Sequence, residues 1–562
     1  MILQDICGGE REGFFLKKQT FFKGSVILMI SAAVAKVFGA LFKIPLTNLL
    51  GGIGMGYFSC AYGLFLPIYA LSVTGLSAAV AKTVAQDAAW GNWRNVRRIR
   101  RTARVLFAGL GALLTVVIWV TARPFALYAA GDGNAYYAVL MIAPSAFLGC
   151  MSAVERGYYE GLQNMYPTAM SQAVESAAKV VIGLALSSWV MAHEQQVLFY
   201  FPSGTQILSV AAAAAVLGVT LSSGAGLLYF LVRNLFGDGI RKKELCSSGK
   251  TDSFRKITKE LLRVMIPVAL GSIATTLTSI IDLCTVIRCF SYAQEHHPDA
   301  LAQRFGSMAA EASFPAFVYG AFTGMALTVF NLVPSVTNMF GRSALPCAAR
   351  AWAKGRKEPL REQVRSVTLA TGLLAVPSGI GLFLLADPVM QVLYSGHMQE
   401  TVVAAEALRA LVPGMVFLCM TTPLFSILQG IGRADLPVKL MLCGVLVKLV
   451  GNLLLIPIPA ASVSGAGIAT SLCYALMLVL AVHHLRKELG GKLGLLRGLV
   501  PVLYASCMSG AAAYLLASVL RSQETIVRLA AAIAGAVVMY GLVLWLMGHS
   551  KGSLRDALSI RM

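Results

Sequence analysis

Lys36 and Lys43 lie seven residues apart in an otherwise apolar run that carries no acidic residue. Seven residues are nearly two helical turns, so on a helix both ammonium groups stand on one face, about 10 Å apart along the axis. Two stacked cations repel each other unless that face meets water or an anion. Within a membrane each costs at least about 2.5–3.5 kcal/mol without such company. The chemistry on offer is reversible electrostatic capture of an anionic group, with simple snorkelling of Lys43 to the interface as the plain alternative.

Four more charges stand in apolar runs. Glu175 and Lys179 are spaced i,i+4 with the acid first, the favourable order for a helical ion pair, and are expected to satisfy each other as a pair or gate. Lys448 has no carboxylate close to it in the sequence and is read as substrate-binding. Asp282 is also placed in the binding set, and three partners stay open for it: a lysine of the first span, a coupling cation, or Arg288. No HExxH, no GxSxG with a triad and no metal-ligand spacing occurs, so no catalytic residue, metal or cofactor is expected. The glycines of 51–56 lack the strand before and the GK[ST] after that a phosphate loop needs, and they read as a tight turn between helices. His296 and His297 fall in a polar loop and read as surface residues.

The elements that position these charges follow from composition. Of 562 residues, 57% are hydrophobic and 13% charged, where a soluble globular chain carries about 25% charged. Mean hydropathy is +0.71. Too few polar residues exist to cover a water-facing surface, which excludes most soluble enzymes and indicates a polytopic helical membrane protein. A window of about 20 apolar residues marks fourteen spans, near 22–48, 57–84, 104–122, 135–154, 165–192, 207–232, 261–286, 315–340, 365–386, 402–428, 437–457, 463–484, 498–519 and 526–547.

Net charge is +21. With both termini cytoplasmic, most of the 47 Lys and Arg fall in cytoplasmic segments, including the cluster Arg94, Arg97, Arg98, Arg100, Arg101 and Arg104. Such a bias orients the chain and touches anionic lipid headgroups; it does not signal nucleic acid. The run after residue 21 is too long for a signal-peptide core and is expected to remain as the first span. Eleven cysteines without CxxC spacing read as reduced core residues.

A weak internal repeat is visible. Ser77-Ala78 recurs as Ser343-Ala344, and Leu162-Gln163 as Leu428-Gln429, both displaced by 266 residues. Six spans per copy give parallel copies, which in transporters enclose a central cavity and permit alternating access. The expected organisation is a cytoplasmic segment 1–21, an N-lobe 22–232, a basic linker 233–260, a C-lobe 261–490, two extra helices within 491–548 and a tail 549–562. The fold class is thus all-α integral membrane, about fourteen helices in two pseudo-symmetric six-helix lobes plus two C-terminal helices.

The stretch from Lys18 to Asn92, the run Ile266-Pro-Val-Ala-Leu-Gly271 with Asp282, Tyr319-Gly-Ala-Phe-Thr-Gly-Met-Ala326 and Leu428-Gln-Gly-Ile-Gly432 resemble the stage V sporulation protein B and polysaccharide-export group. That group belongs to the multidrug, oligosaccharidyl-lipid and polysaccharide exporter superfamily, which includes the lipid II flippases. The resemblance implies a single-chain bacterial cytoplasmic-membrane transporter, not an enzyme, that flips an undecaprenyl-linked cell-envelope precursor of the kind used in peptidoglycan or polysaccharide synthesis. It also implies that Lys36 and Lys43 match the basic first-helix residues thought to hold the pyrophosphate in lipid II flippases. Those flippases carry further cavity arginines in the second and eighth helices; here 67–69 and 325–330 are neutral. A cation-coupled drug antiporter of the same superfamily is the alternative, and it would want an acid in the first helix.

Overall fold

The computed structural model describes residues 21–70, 75–128, 133–202, 204–235, 251–353, 355, 357–490 and 493–550. Every regular element among them is helical, as hydrocarbon demands of a backbone that must satisfy its own hydrogen bonds. The main helices are α1 (Phe21–Tyr69), α2 (Gly75–Ala89), α3 (Trp93–Tyr128), α4 (Tyr136–Ile142), α5 (Pro144–Gly161), α6 (Tyr166–Ala192), α7 (Ile207–Leu235) and α8 (Phe254–His296). They continue as α9 (Phe314–Phe330), α10 (Leu332–Ala353), α11 (Lys357–Leu384), α12 (Met398–Gly430), α13 (Asp435–Leu455), α14 (Ser462–Leu489), α15 (Leu495–Val519) and α16 (Thr525–Ser550).

Twelve runs among the described residues are long and apolar enough to cross a membrane, or thirteen with the bent pair ending in α9. The expected number was fourteen. Part of the difference is α1, which is one run by length yet breaks at Gly51, where φ is +62° and ψ −171°. That conformation is the tight turn expected from the glycines of 51–56, and it separates two helical arms. Leucine and valine side chains stand bare on the outer helices, with Leu446, Val450 and Leu454 on α13 and Val519 on α15 each more than half exposed. Apolar surface of that extent faces lipid in a protein of this class. Trp90, Phe199 and Tyr200 are more than four-fifths exposed beyond helix ends, as aromatic residues are at a membrane–water boundary.

The chain divides into two compact units, Met1–Leu49 with Tyr57–Ile280, and Leu50–Gly56 with Ile281–Met562. Each repeats the same packing plan. In the first unit α2 and α3 pack on α5, and α6 packs on α7; in the second α10 and α11 pack on α12, and α13 packs on α14. The weak sequence repeat therefore corresponds to a repeated arrangement of helices. The second unit also holds α15 against α16, and α15 against α11.

Glycine sets the closest approach at one place in the second unit. A Cβ on Gly320 would lie 1.7 Å from the carbonyl oxygen of Gly52, and one on Gly56 would lie 2.3 Å from that of Ala316. The turn of α1 thus rests backbone to backbone on α9, just before a π-helical stretch, Ala321–Ala326, that is wholly buried. Composition predicts the turn from these glycines, but nothing in one sequence predicts which helix lies against them.

Candidate functional site

Lys36 and Lys43 both lie on the first arm of α1, before the Gly51 break, so the helical spacing read from the sequence is kept. Lys36 is exposed and Lys43 half-buried. α1 runs parallel to α6 in matched register. Ser31 on α1 donates to the Ala169 carbonyl and bonds Gln172, each at 3.1 Å. Further along, Phe42 lies where a Cβ on Gly183 would come within 2.6 Å of its ring. Lys179, one turn before Gly183, thus falls level with the stretch of α1 between Lys36 and Lys43, and its Nζ is 5.8 Å from the Phe42 ring centroid. Lys43 feels both other cations, while Lys179 feels the Glu175 carboxylate ahead of Lys36.

Glu175 is turned to another partner. The expected ion pair with Lys179 is not the bond formed: Arg156 Nη2 on α5 donates to Glu175 Oε2 at 2.6 Å, and Ser223 on α7 donates to Oε1 at 3.3 Å. Arg156 also reaches Ser171 Oγ at 3.4 Å, and Ser171 donates on to the Gly226 carbonyl. A side chain on a neighbouring helix outcompetes the local spacing because its guanidinium meets the carboxylate from a buried position, where a charge-assisted bond is worth more than on an open helix face.

Sequence reasoning missed Arg156 for a definite reason. The fourth span is expected to end at 154, which leaves Glu155, Arg156 and Glu160 in a loop, but α5 continues to Gly161, takes in all three and buries Glu155 and Arg156. Glu155 there binds Arg104 Nε at 2.7 Å and also Arg100, whose guanidinium lies 3.9 Å from the Tyr158 ring centroid and donates to Asn234 at 2.6 Å. Two members of the basic cluster therefore hold helices together as well as biasing charge. Spans that end in charge after an unbroken helical pattern were the available signal.

In the second unit the two remaining residues of the expected binding set find each other. Lys448 Nζ on α13 donates to Asp282 Oδ2 on α8 at 2.6 Å, and both side chains are under 5% exposed. Asn452, one turn along α13, donates to Asp282 Oδ1 at 3.3 Å and to Thr285 Oγ1 at 2.8 Å. This supplies the partner left open for both residues. Lys448 has its carboxylate, supplied from 166 positions away, and Asp282 takes neither a first-span lysine nor Arg288. A neutralised, buried pair of this kind fixes α8 against α13.

Among the described residues no group of three or more His, Cys, Asp or Glu is placed to hold a metal ion. The nine described cysteines are free, with Cys60, Cys150, Cys289, Cys419 and Cys473 buried, while Cys347, Cys443 and Cys507 are exposed and so depart from the expected core placement. The N-terminal segment up to residue 20, most of the basic linker and the tail from 551 lie outside the described residues.

The family model "Polysaccharide biosynthesis protein" matches residues 21–352, and the MatE model matches residues 321–454. Stage V sporulation protein B of Bacillus subtilis is 24% identical over 83% of this chain and 83% of its own length. The lipid II flippase MurJ of the same organism is 23% identical, over 96% of this chain and 97% of its own. Among solved structures, lipid II flippase MurJ in an inward closed conformation superposes with a TM-score of 0.65 at 13% identity, covering 94% of this chain and 99% of that one. An inward-facing multidrug resistance MATE family transporter gives 0.61 at 12% identity, covering 83% and 98%. These likenesses show the fold, and with a family model spanning more than half its length, this chain belongs to the polysaccharide biosynthesis protein family of multi-pass membrane proteins.

Proposed function

We propose that the protein is a flippase that carries an undecaprenyl-(pyro)phosphate-linked cell-envelope precursor, lipid II or a related oligosaccharide-lipid, from the inner to the outer leaflet by alternating access. Lys36 and Lys43 hold the phosphate groups. The observation that carries the reading is positive charge repeated along one face-forming spacing of α1, in a chain whose relatives of matching length include a lipid II flippase. Lysine suits cargo that must be let go again, since its ammonium is a mobile point charge where an arginine fork would grip in two places. Both termini face the cytoplasm, anionic lipids gather at the basic loops, and the protein works as a single chain.

A drug antiporter of the MATE kind is the second reading, favoured by the MatE match over residues 321–454. It needs an available membrane carboxylate for a cationic drug. Glu175 and Asp282 are each engaged by a cation of the protein itself, at 2.6 Å in both cases, which counts against that reading.

The test is complementation in a bacterial strain depleted of its own lipid II flippase, with membrane levels of each variant checked by immunoblot. Lys36→Ala abolishes growth at normal protein level, and Lys36→Arg retains part of it. Unimpaired growth of Lys36→Ala would contradict the assignment.

A further inference from the structure

We infer that Lys179 is a third cation of the phosphate-binding set, contributed by α6, and that the Arg156–Glu175 pair is the positioning device that keeps it available. The inference rests on the flippase reading and adds to it a residue and a means of control.

The geometry supplies two independent supports. Lys179 lies over Phe42, the immediate neighbour of Lys43, at a level of α6 that the Ser31–Ala169 and Phe42–Gly183 contacts place between the two α1 lysines. Three ammonium groups on two parallel helices match the two to three negative charges of a diphosphate ester better than two on one helix, and they can meet it from two sides. The second support is the fate of Glu175. One turn from Lys179, it already acts on that cation through space and stands in the favourable order for a direct pair that would quench it. Arg156 draws the carboxylate toward α5, while Ser223 anchors its other oxygen to α7. Glu175 keeps 24% of its side chain exposed while Arg156 keeps 8%, so the acid retains room to swing once its partner is removed.

Removing Arg156 therefore acts through Glu175 on Lys179. A purely structural salt bridge would lower stability on removal and leave ligand affinity where it was.

The experiment uses the full chain in lipid nanodiscs with undecaprenyl diphosphate as probe, undecaprenol as the uncharged lipid and inorganic pyrophosphate as the free anion. Dissociation constants come from native mass spectrometry, and thermal unfolding checks each variant. Lys179→Gln weakens undecaprenyl diphosphate binding tenfold or more, and Lys179→Arg recovers most of it. Arg156→Gln weakens binding similarly. Arg156→Gln with Glu175→Gln returns it to within about threefold of the natural chain, because no carboxylate is left to quench the lysine. Arg156→Gln with Lys179→Gln is no weaker than Lys179→Gln alone. Pyrophosphate competing as well as the lipid locates the recognition in the anion itself, and that result also supports the inference.

Lys179→Gln binding within twofold of the natural chain, while Lys36→Gln binds tenfold more weakly, overturns the inference and leaves the flippase reading intact. Equal retention of undecaprenyl diphosphate and undecaprenol by the natural chain overturns both. If Arg156→Gln fails to fold, the Lys179 variants still decide whether that residue belongs to the set.

Discussion

Corresponding helices of the two units, α6 in one and α13 in the other, each carry a lysine that meets a carboxylate differently. In the second unit Lys448 is consumed by Asp282, sealed below 5% exposure and backed by Asn452. In the first unit the lysine of α6 forms no direct bond to the acid one turn before it, because that acid is taken by Arg156. The same repeat thus yields a structural rivet in one copy and an available cation in the other. Duplicated lobes can share a packing plan while their charges divide between holding the fold and meeting the cargo.

The largest effect expected from this contrast is on stability. Lys448→Ala leaves an uncompensated carboxylate buried between α8 and α13 and lowers unfolding free energy by about 3–5 kcal/mol. The double change Asp282→Asn with Lys448→Met recovers most of that, since it removes both charges. Thermal unfolding in detergent reads both, and a double variant as unstable as the single one would mean the pair is not the rivet described.

Arg156→Gln comes next. Its partner is less deeply buried than Asp282, so the stability loss falls to about 1–3 kcal/mol. A loss equal to that of Lys448→Ala would erase the distinction between the two pairs.

Smaller again is Lys36→Gln. Because Lys36 is exposed, unfolding free energy shifts by no more than about 0.5 kcal/mol, while transport measured by complementation fails. Stability and transport thereby separate in the first unit, whereas in the second they fall together.

The smallest effect lies outside the spans of the first unit. Burial pushes the Asp87 carboxyl above the usual carboxylate range, with Asp252 and Glu260 adding to the rise and the Asn95 amide, 2.8 Å away, opposing it. A carboxyl raised on folding binds its proton more tightly in the native state, so its charged form is a burden at neutral pH. Asp87→Asn therefore gives a slight gain in melting temperature at pH 7 that fades as pH falls through the elevated value and is gone below the ordinary carboxylate range. A gain that grows on acidification contradicts the sign.

Much of the architecture was legible because it rests on composition and period. Apolar runs of helical length, the charge bias of the loops and the glycine turn before Gly56 are local properties. Lys36 and Lys43 could be paired by spacing because one helix carries both. Asp282 and Lys448 could not, since their contact spans 166 residues and nothing in a single sequence says which face of α8 meets α13. The Glu175–Lys179 pair fails for a related reason: an i,i+4 rule describes an isolated helix, and Arg156 arrives from outside it. A span limit at 154 hides that arginine, because charge after an apolar run reads as the interface while here it marks a packed polar network.

Phosphate held by the lysines of the first unit is the central claim for this protein. The direct measurement is native mass spectrometry of the full chain with equimolar undecaprenyl diphosphate and undecaprenol, comparing the natural protein with Lys36→Gln/Lys43→Gln. Preferential retention of the diphosphate lipid by the natural protein, lost in the double variant at unchanged thermal stability, is the predicted result. Undiminished preference in the double variant would contradict it.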